Sequence, residues 1–257
     1  MHPQIAGWYS YYLMWAVGTV LMLTAGISMA LKDGDVARRL VVGTAVFAVI
    51  IFGSKLLYII EQQIYPADDI IPTALRSDAH GFRIPGGILA GSLVLPLACR
   101  LLGFEWRAYA DRFVLLLPAL LICIRLGCFL NGCCFGDVWD FFLAVAFPPG
   151  SVAYYFHLSN GLIPPGAAHS LPVHPLQLYF AAAAAVIWVT LVIQRRYLPM
   201  QPGATATVFL TLFFCSTLIL ESFRGSRLQL NEQLITAIVA ALLFTLSIYS
   251  LKSRAAT

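Results

Sequence analysis

The chain has 257 residues, of which 60% are hydrophobic and 11% charged, with a formal net charge of +4 and a mean hydropathy of +0.83. So few polar side chains cannot cover a water-soluble globule, and the same composition excludes intrinsic disorder. Segments of about 10 residues with alternating polarity, the mark of an outer-membrane barrel, are absent, which leaves an all-α polytopic membrane protein.

A spanning helix needs about 20 mostly apolar residues. Seven stretches meet that need, near residues 8–31, 40–60, 84–102, 113–130, 176–194, 204–220 and 234–251. No Lys or Arg precedes the first, and its apolar run is too long for a cleavable signal, so it is expected to stay as a span. With the N-terminus outside, ten basic residues fall on the inner side, Arg38, Arg39, Arg195 and Arg196 among them, against four on the outer side. This bias predicts an N-out, C-in arrangement and makes the basic surplus a topology signal rather than a nucleic-acid patch. The chain is then one transmembrane domain over 1–257, with an insertion over 131–175 between the fourth and fifth spans. That insertion holds no Lys or Arg, is rich in aromatic residues such as Trp139, Phe141 and Phe142, and is too long for an ordinary connector. It reads as an interfacial aromatic belt, as a small head over the outer leaflet covering a site, or as both.

Ionisable groups at membrane depth are costly and usually functional. Lys55 lies in the outer half of the second span, placed to snorkel. Pro85-Gly86-Gly87 opens the third span. Arg125 lies within the fourth, followed outward by Cys128, Asn131, Gly132, Cys133 and Cys134. His174, Gln177 and Tyr179 open the fifth, and Glu221 and Arg224 close the sixth. All of these reach one level, the outer side. Arg125 and Cys128 share a helix face, as do Glu221 and Arg224. Two arginines and a carboxylate in a low-dielectric pocket suit a phosphate, and outer-leaflet phospholipid head groups are the nearest supply. A structural ion pair between Arg125 and Glu221 is the plainer alternative. Gly86 and Gly87 either aim N–H groups at an anion or allow two helices to pack closely.

Of the six cysteines, Cys99, Cys123 and Cys215 read as apolar filler. Cys128, Cys133 and Cys134 read as a disulfide or plain packing, as a reactive thiol activated by Arg125, or as metal ligands with His80, His157, His169 or His174. Spacing of the zinc type is missing, so no metal and no cofactor is expected.

Four motifs now stand in order: Arg-Ile-Pro-Gly-Gly-Ile-Leu-Ala-Gly at 83–91, Ile-Arg-Leu-Gly-Cys-Phe-Leu-Asn-Gly at 124–132, His-Pro-Leu-Gln-Leu-Tyr at 174–179 and Glu-Ser-Phe-Arg at 221–224. Together they resemble the motifs of prolipoprotein diacylglyceryl transferases. The resemblance implies a bacterial cytoplasmic-membrane enzyme with seven spans, an outer N-terminus and a head between spans four and five. It implies transfer of the diacylglyceryl group of phosphatidylglycerol to a lipobox cysteine thiol, leaving glycerol phosphate, so the partners are a phosphatidylglycerol-like phospholipid and a lipobox preprotein or small thiol, without nucleic acid. On matched positions Arg125 binds the lipid phosphate, Glu221 orients a basic partner, Arg224 adds charge, and Gln177 and Tyr179 line the head-group pocket with Gly86, Gly87, Asn131, Gly132 and His174. Cys128, where the family carries an Asn, joins Arg125 and Glu221 as a catalytic candidate through the Arg125 beside it and not through the resemblance. The sequence differs from the family pattern at four places: Pro85 replaces a His, Cys128 an Asn, Cys133 a Glu and Thr217 an Arg. Two other readings use the same residues: a thiol-based redox or thiol-transfer enzyme centred on Cys128, Cys133 and Cys134, and a lipid-binding or transport protein without chemistry.

Overall fold

The computed structural model describes residues 4–5, 8–64, 84–198 and 200–224. A two-residue hairpin, β1 (Gln4–Ile5) with β2 (Trp8–Tyr9), precedes eight helices: α1 (Ser10–Asp33), α2 (Val36–Ile64), α3 (Ile84–Leu101), α4 (Trp106–Phe113), α5 (Leu117–Asn131), α6 (Val152–Ser159), α7 (Leu176–Tyr197) and α8 (Ala204–Glu221). Six segments among the described residues are long and apolar enough to cross a bilayer, with α4 and α5 together making one of them. They correspond to the first six expected spans; the seventh, 234–251, lies outside the described residues.

The fourth span differs from expectation in starting earlier and being broken. The Glu105 carboxylate caps α4 by accepting from the N–H groups of Arg107 (3.0 Å) and Ala108 (2.5 Å). The helix then tightens, with Leu115 and Leu116 donating to carbonyls three residues back. Pro118 has no N–H to continue the ladder, and it suits the first turn of a new helix, so α5 begins there.

Small residues let the helices approach. A Cβ on Gly86 would lie 2.5 Å from Leu57 Cβ and 2.8 Å from the Gly53 carbonyl oxygen, which sets α3 directly against α2. Gly18 faces Cys123 and Leu120, and Gly127 faces Tyr11 and Met14, which sets α1 against α5. Such contacts drive helix association where the solvent is itself apolar. Phe209, Phe214, Leu191, Ile88 and Val114 fill one core, and Val42, Val46, Cys99 and Phe113 another. Leu93, Phe52, Val186 and Ile219 point outward and are exposed. Apolar residues thus lie on all faces of the long helices, as a hydrocarbon solvent requires.

Polar groups collect at the two ends of the bundle. At one end Asp33 pairs with Arg39 (3.5 Å) and Arg112, and Tyr109 donates to the Arg39 carbonyl (2.8 Å). Asp111 accepts from the first N–H groups of α8, those of Gly203 (2.7 Å) and Ala206 (2.8 Å), while Arg195 donates to its carbonyl. At the other end residues 132–175 fold over the bundle. Phe147, Ala153 and Val173 are buried in a small core of their own, and Val173 bridges to both Val138 and Val145. Ser151 caps α6 through the Tyr154 N–H, and buried His157 accepts the Leu171 N–H at Nδ1 (3.2 Å).

Candidate functional site

The site is built on the turn that ends α5. Gly132 closes the helix in the left-handed region, at φ 69°, with its N–H on the Phe129 carbonyl. A Cβ there would meet Ser151 Cβ at 2.7 Å and Phe147 Cδ1 at 2.9 Å, so conformation and space both require glycine. Cys134 is also left-handed, at φ 59°, which is uncommon for a residue with a side chain. Two left-handed residues flanking Cys133 curl the chain back over α5. The sulfurs of Cys128, Cys133 and Cys134 then all lie within 4.8 Å of one another, and all six cysteines are free thiols. Gln177, fully buried in the first turn of α7, donates Nε2 to the Cys133 carbonyl at 2.6 Å and locks the turn in place. Its Oε1 is buried and accepts no hydrogen bond from the described residues.

Two guanidinium groups act on this turn. Arg125 lies one helical turn before Cys128, with its guanidinium 4.0 Å from the centre of the Phe180 ring. Stacking on an aromatic face holds a cation at membrane depth without neutralising it. Arg224 follows α8, its Nε 3.1 Å from Glu221 Oε2. Cys134 is held well below the ordinary thiol range, first by hydrogen bonds with Cys128 and Cys133 and then by the charges of Arg224 and Arg125. Cys133 moves the opposite way, well above it, through the same sulfur hydrogen bonds and burial.

A strap from the head ties α7 and α8 to this turn. Gly136 donates to the His174 carbonyl (3.0 Å), His174 donates to the Asp137 carbonyl (3.0 Å), and Asp137 donates to the Phe223 carbonyl (2.9 Å). A Cβ on Gly136 would stand 2.7 Å from that Phe223 oxygen. The His174 ring stacks on Trp139, centroids 4.0 Å apart, and its Nδ1 lies 3.3 Å from the Tyr179 hydroxyl. Burial holds the His174 pKa below its usual value, opposed by Asp137.

Arg125, Cys128, Asn131, Gly132, His174, Gln177, Tyr179, Glu221 and Arg224 thus share the head end of the bundle. Glu221 pairs with Arg224, its neighbour one turn on. The missing side chains of Gly86 and Gly87 make room for Leu57, Gly53, Ser54 and Ile50 of α2, so the pair serves close packing of α3 on α2. Lys55 reaches the Tyr58 ring, and His80 lies outside the described residues. Sequence reasoning missed Phe180 and Phe223, and named Trp139 only as part of an aromatic bias; the grouping of Cys128, Cys133 and Cys134 was expected, and the structure brings their sulfurs together.

An apolar cavity of about 60 Å³ between α1, α2, α3 and α5 is lined by Trp15, Ser54, Ile84, Leu121 and Ile124, the residue preceding Arg125. A larger one, about 280 Å³, lies near Trp106 and Gly203 toward the basic end and touches none of the thiols.

Residues 4–251 match the family model described as prolipoprotein diacylglyceryl transferase. The chain is 26% identical over 183 residues to the phosphatidylglycerol–prolipoprotein diacylglyceryl transferase of Clostridium tetani, covering 68% of this chain and 64% of that one. It is 28% identical over 195 residues to a second such transferase from Clostridium perfringens, covering 70% and 67%. With that of Dehalococcoides mccartyi it shares 32% identity over 159 residues, covering 59% and 57%. The chain thus spans between about half and two thirds of the length of these relatives.

Proposed function

Since this chain belongs to the prolipoprotein diacylglyceryl transferase family, we propose that it moves a diacylglyceryl group from a phosphatidylglycerol-like phospholipid to a thiol acceptor, with a lipobox preprotein as the acceptor class. The chain is read as sitting in the bacterial cytoplasmic membrane, N-terminus outside and C-terminus inside, with residues 131–175 as an extracytoplasmic head. In that orientation the ends that carry Arg38, Arg39, Arg112, Arg195 and Arg196 face the cytoplasm, as the basic bias asks.

The observation that carries the reading is that two guanidinium groups, Arg125 stacked on Phe180 and Arg224 paired with Glu221, stand at the head end of an apolar bundle. Breaking the glycerol carbon–oxygen bond sends charge onto a phosphate leaving group. Fixed guanidinium donors in a water-poor site stabilise that charge with little reorganisation. Arg125 supplies a planar donor already oriented by Phe180, and Glu221 holds Arg224 while limiting the net positive charge. Gln177 Oε1, buried and unused by the described residues, suits a glycerol hydroxyl. Tyr179 and His174 close the same side under Trp139, while Asn131 and Gly132 shape the turn. The pair Gly86 and Gly87 acts through packing.

The test is direct. Full-length protein in lipid nanodiscs is incubated with labelled phosphatidylglycerol and a lipobox peptide. A thioether-linked diacylglyceryl peptide and free glycerol phosphate are expected. Intact lipid and unmodified peptide would refute the reading.

A further inference from the structure

Resting on that transferase reading, we propose that Cys128, Cys133 and Cys134 form a three-thiolate zinc site whose open fourth position binds and activates the acceptor thiol.

The geometry is built by the backbone rather than by chance side-chain approach. Gly132 and Cys134 are both left-handed, and Gln177 fixes the carbonyl between them. The three sulfurs lie within 4.8 Å of one another, two of them buried and the third half-buried. Ligands at about 2.3 Å from a tetrahedral zinc stand about 3.8 Å apart, so a closing movement of about 1 Å completes the set. Sulfur alone selects a soft or borderline ion and excludes calcium and magnesium as occupants. Among the described residues no fourth Cys, His, Asp or Glu joins the group. A structural zinc site is closed by four protein ligands, whereas a catalytic one keeps three and leaves a position for substrate. The linear spacing that argued against a metal describes closed sites and says nothing about this one.

Three thiolates around a divalent ion leave one net negative charge, and Arg125 lies one helical turn from Cys128.

The site also answers a chemical need. Thiol alkylation requires a thiolate, and Pro85 stands where the family motif carries a histidine. Two of the three described histidines are engaged within the head, and the third, His169, is exposed on its surface. His157 is buried under α6, accepting the Leu171 N–H, and His174 is stacked on Trp139 beside the Tyr179 hydroxyl. Coordination deprotonates a thiol outright. The acceptor sulfur would bind as thiolate and release its proton to solvent. It then attacks the glycerol carbon that carries the phosphoester oxygen. The sulfur–carbon bond forms as the carbon–oxygen bond breaks, and the electron pair departs with glycerol phosphate. Nothing is oxidised or reduced.

The experiment measures metal and acceptor binding apart from turnover. Full-length protein purified from zinc-replete cells should carry one zinc per chain by elemental mass spectrometry. Cys128→Ser and Cys134→Ser should each weaken zinc binding by about 100-fold or more, while Cys215→Ser retains it. A chelator should strip the wild-type metal and added zinc should restore it, a readout that needs no variant. Cobalt exchanged into the wild-type protein should show thiolate charge-transfer and tetrahedral visible bands. A lipobox peptide should shift those bands, and its Cys→Ser counterpart should not. Zinc-free wild-type protein, unchanged zinc in the two cluster variants, or a disulfide within the trio in freshly purified protein would overturn the site. Cobalt bands indifferent to the thiol peptide would overturn the open position. A spectral response without any thioether product from phosphatidylglycerol would leave the thiol site standing and remove the lipid-donor reading instead.

Discussion

Arg125 is an arginine for three separate reasons: constant charge, a planar fork and a face that stacks on Phe180. Arg125→Ala should therefore cost about 1.5–3 kcal/mol of phosphate interaction, or roughly 10- to 150-fold in phosphatidylglycerol binding. Arg125→Lys should recover only part, since a point charge neither stacks nor forks. Unchanged lipid binding to nanodisc-held Arg125→Ala protein would remove this residue as the phosphate clamp. His157 reports on the head. Burial lowers its pKa, so the unfolded head binds the proton more readily than the folded one. The stabilising contribution is complete above the unfolded value of about 6.5 and is lost as pH falls through the lower folded value. Protonation of Nδ1 also ends its acceptance of the Leu171 N–H. Hydrogen exchange at that amide should accelerate below about pH 6.5 beyond the intrinsic trend; flat protection would contradict the assignment.

At the scale of elements, α2 and α3 pack through absent side chains. Gly53, Gly86, Gly87 and Gly91 interlock with Ala90, Leu57, Ser54 and Ile50, so neither helix can retreat without opening the other's face. Gly87→Leu should overpack this seam, destabilising the protein by about 1–3 kcal/mol. Thermal unfolding in detergent checks it, and an undiminished midpoint would mean that the seam yields. The Gly-Gly pair and its place at a helix start were legible in the sequence. Which of its two uses applies was not, because an isolated strand of sequence does not say whether a partner helix fills the space. The break between α4 and α5 follows the same logic. Pro118 is plain to see within an apolar run, whereas the ties of α4 to α8 through Asp111 and to α1 through Arg112 appear only in the structure.

For the whole molecule, the basic end and the head end are opposite, and the membrane sees an apolar belt between them. A single exposed cysteine introduced at Asn160 of the head should react with a membrane-impermeant maleimide on intact cells. One at Gly34, between α1 and α2, should react only after permeabilisation. The reverse pattern would invert the orientation and place the thiol cluster on the cytoplasmic side. Either result reads one property, the distribution of Lys and Arg, whose effect on topology is electrostatic and summed over loops.

Composition and span length settled the class of this protein alone, because a bilayer admits few solutions and each one leaves about 20 apolar residues in a row. The order of motifs pointed to the family, and the i, i+3 spacing put Glu221 and Arg224 on one helix face, whereas the ion pair expected from the sequence was Arg125 with Glu221. Tertiary structure decided the rest. Cys128 and Cys134 converge only because Gly132 and Cys134 turn left-handed and Gln177, 44 positions after Cys133, holds the turn. Arg125 stacks on a ring that α7 brings to it, and Glu221 joins the site only because Phe223 accepts from the Asp137 N–H of the head strap. Local spacing is written along the chain, whereas a turn of the backbone and a contact across helices depend on what packs beside them.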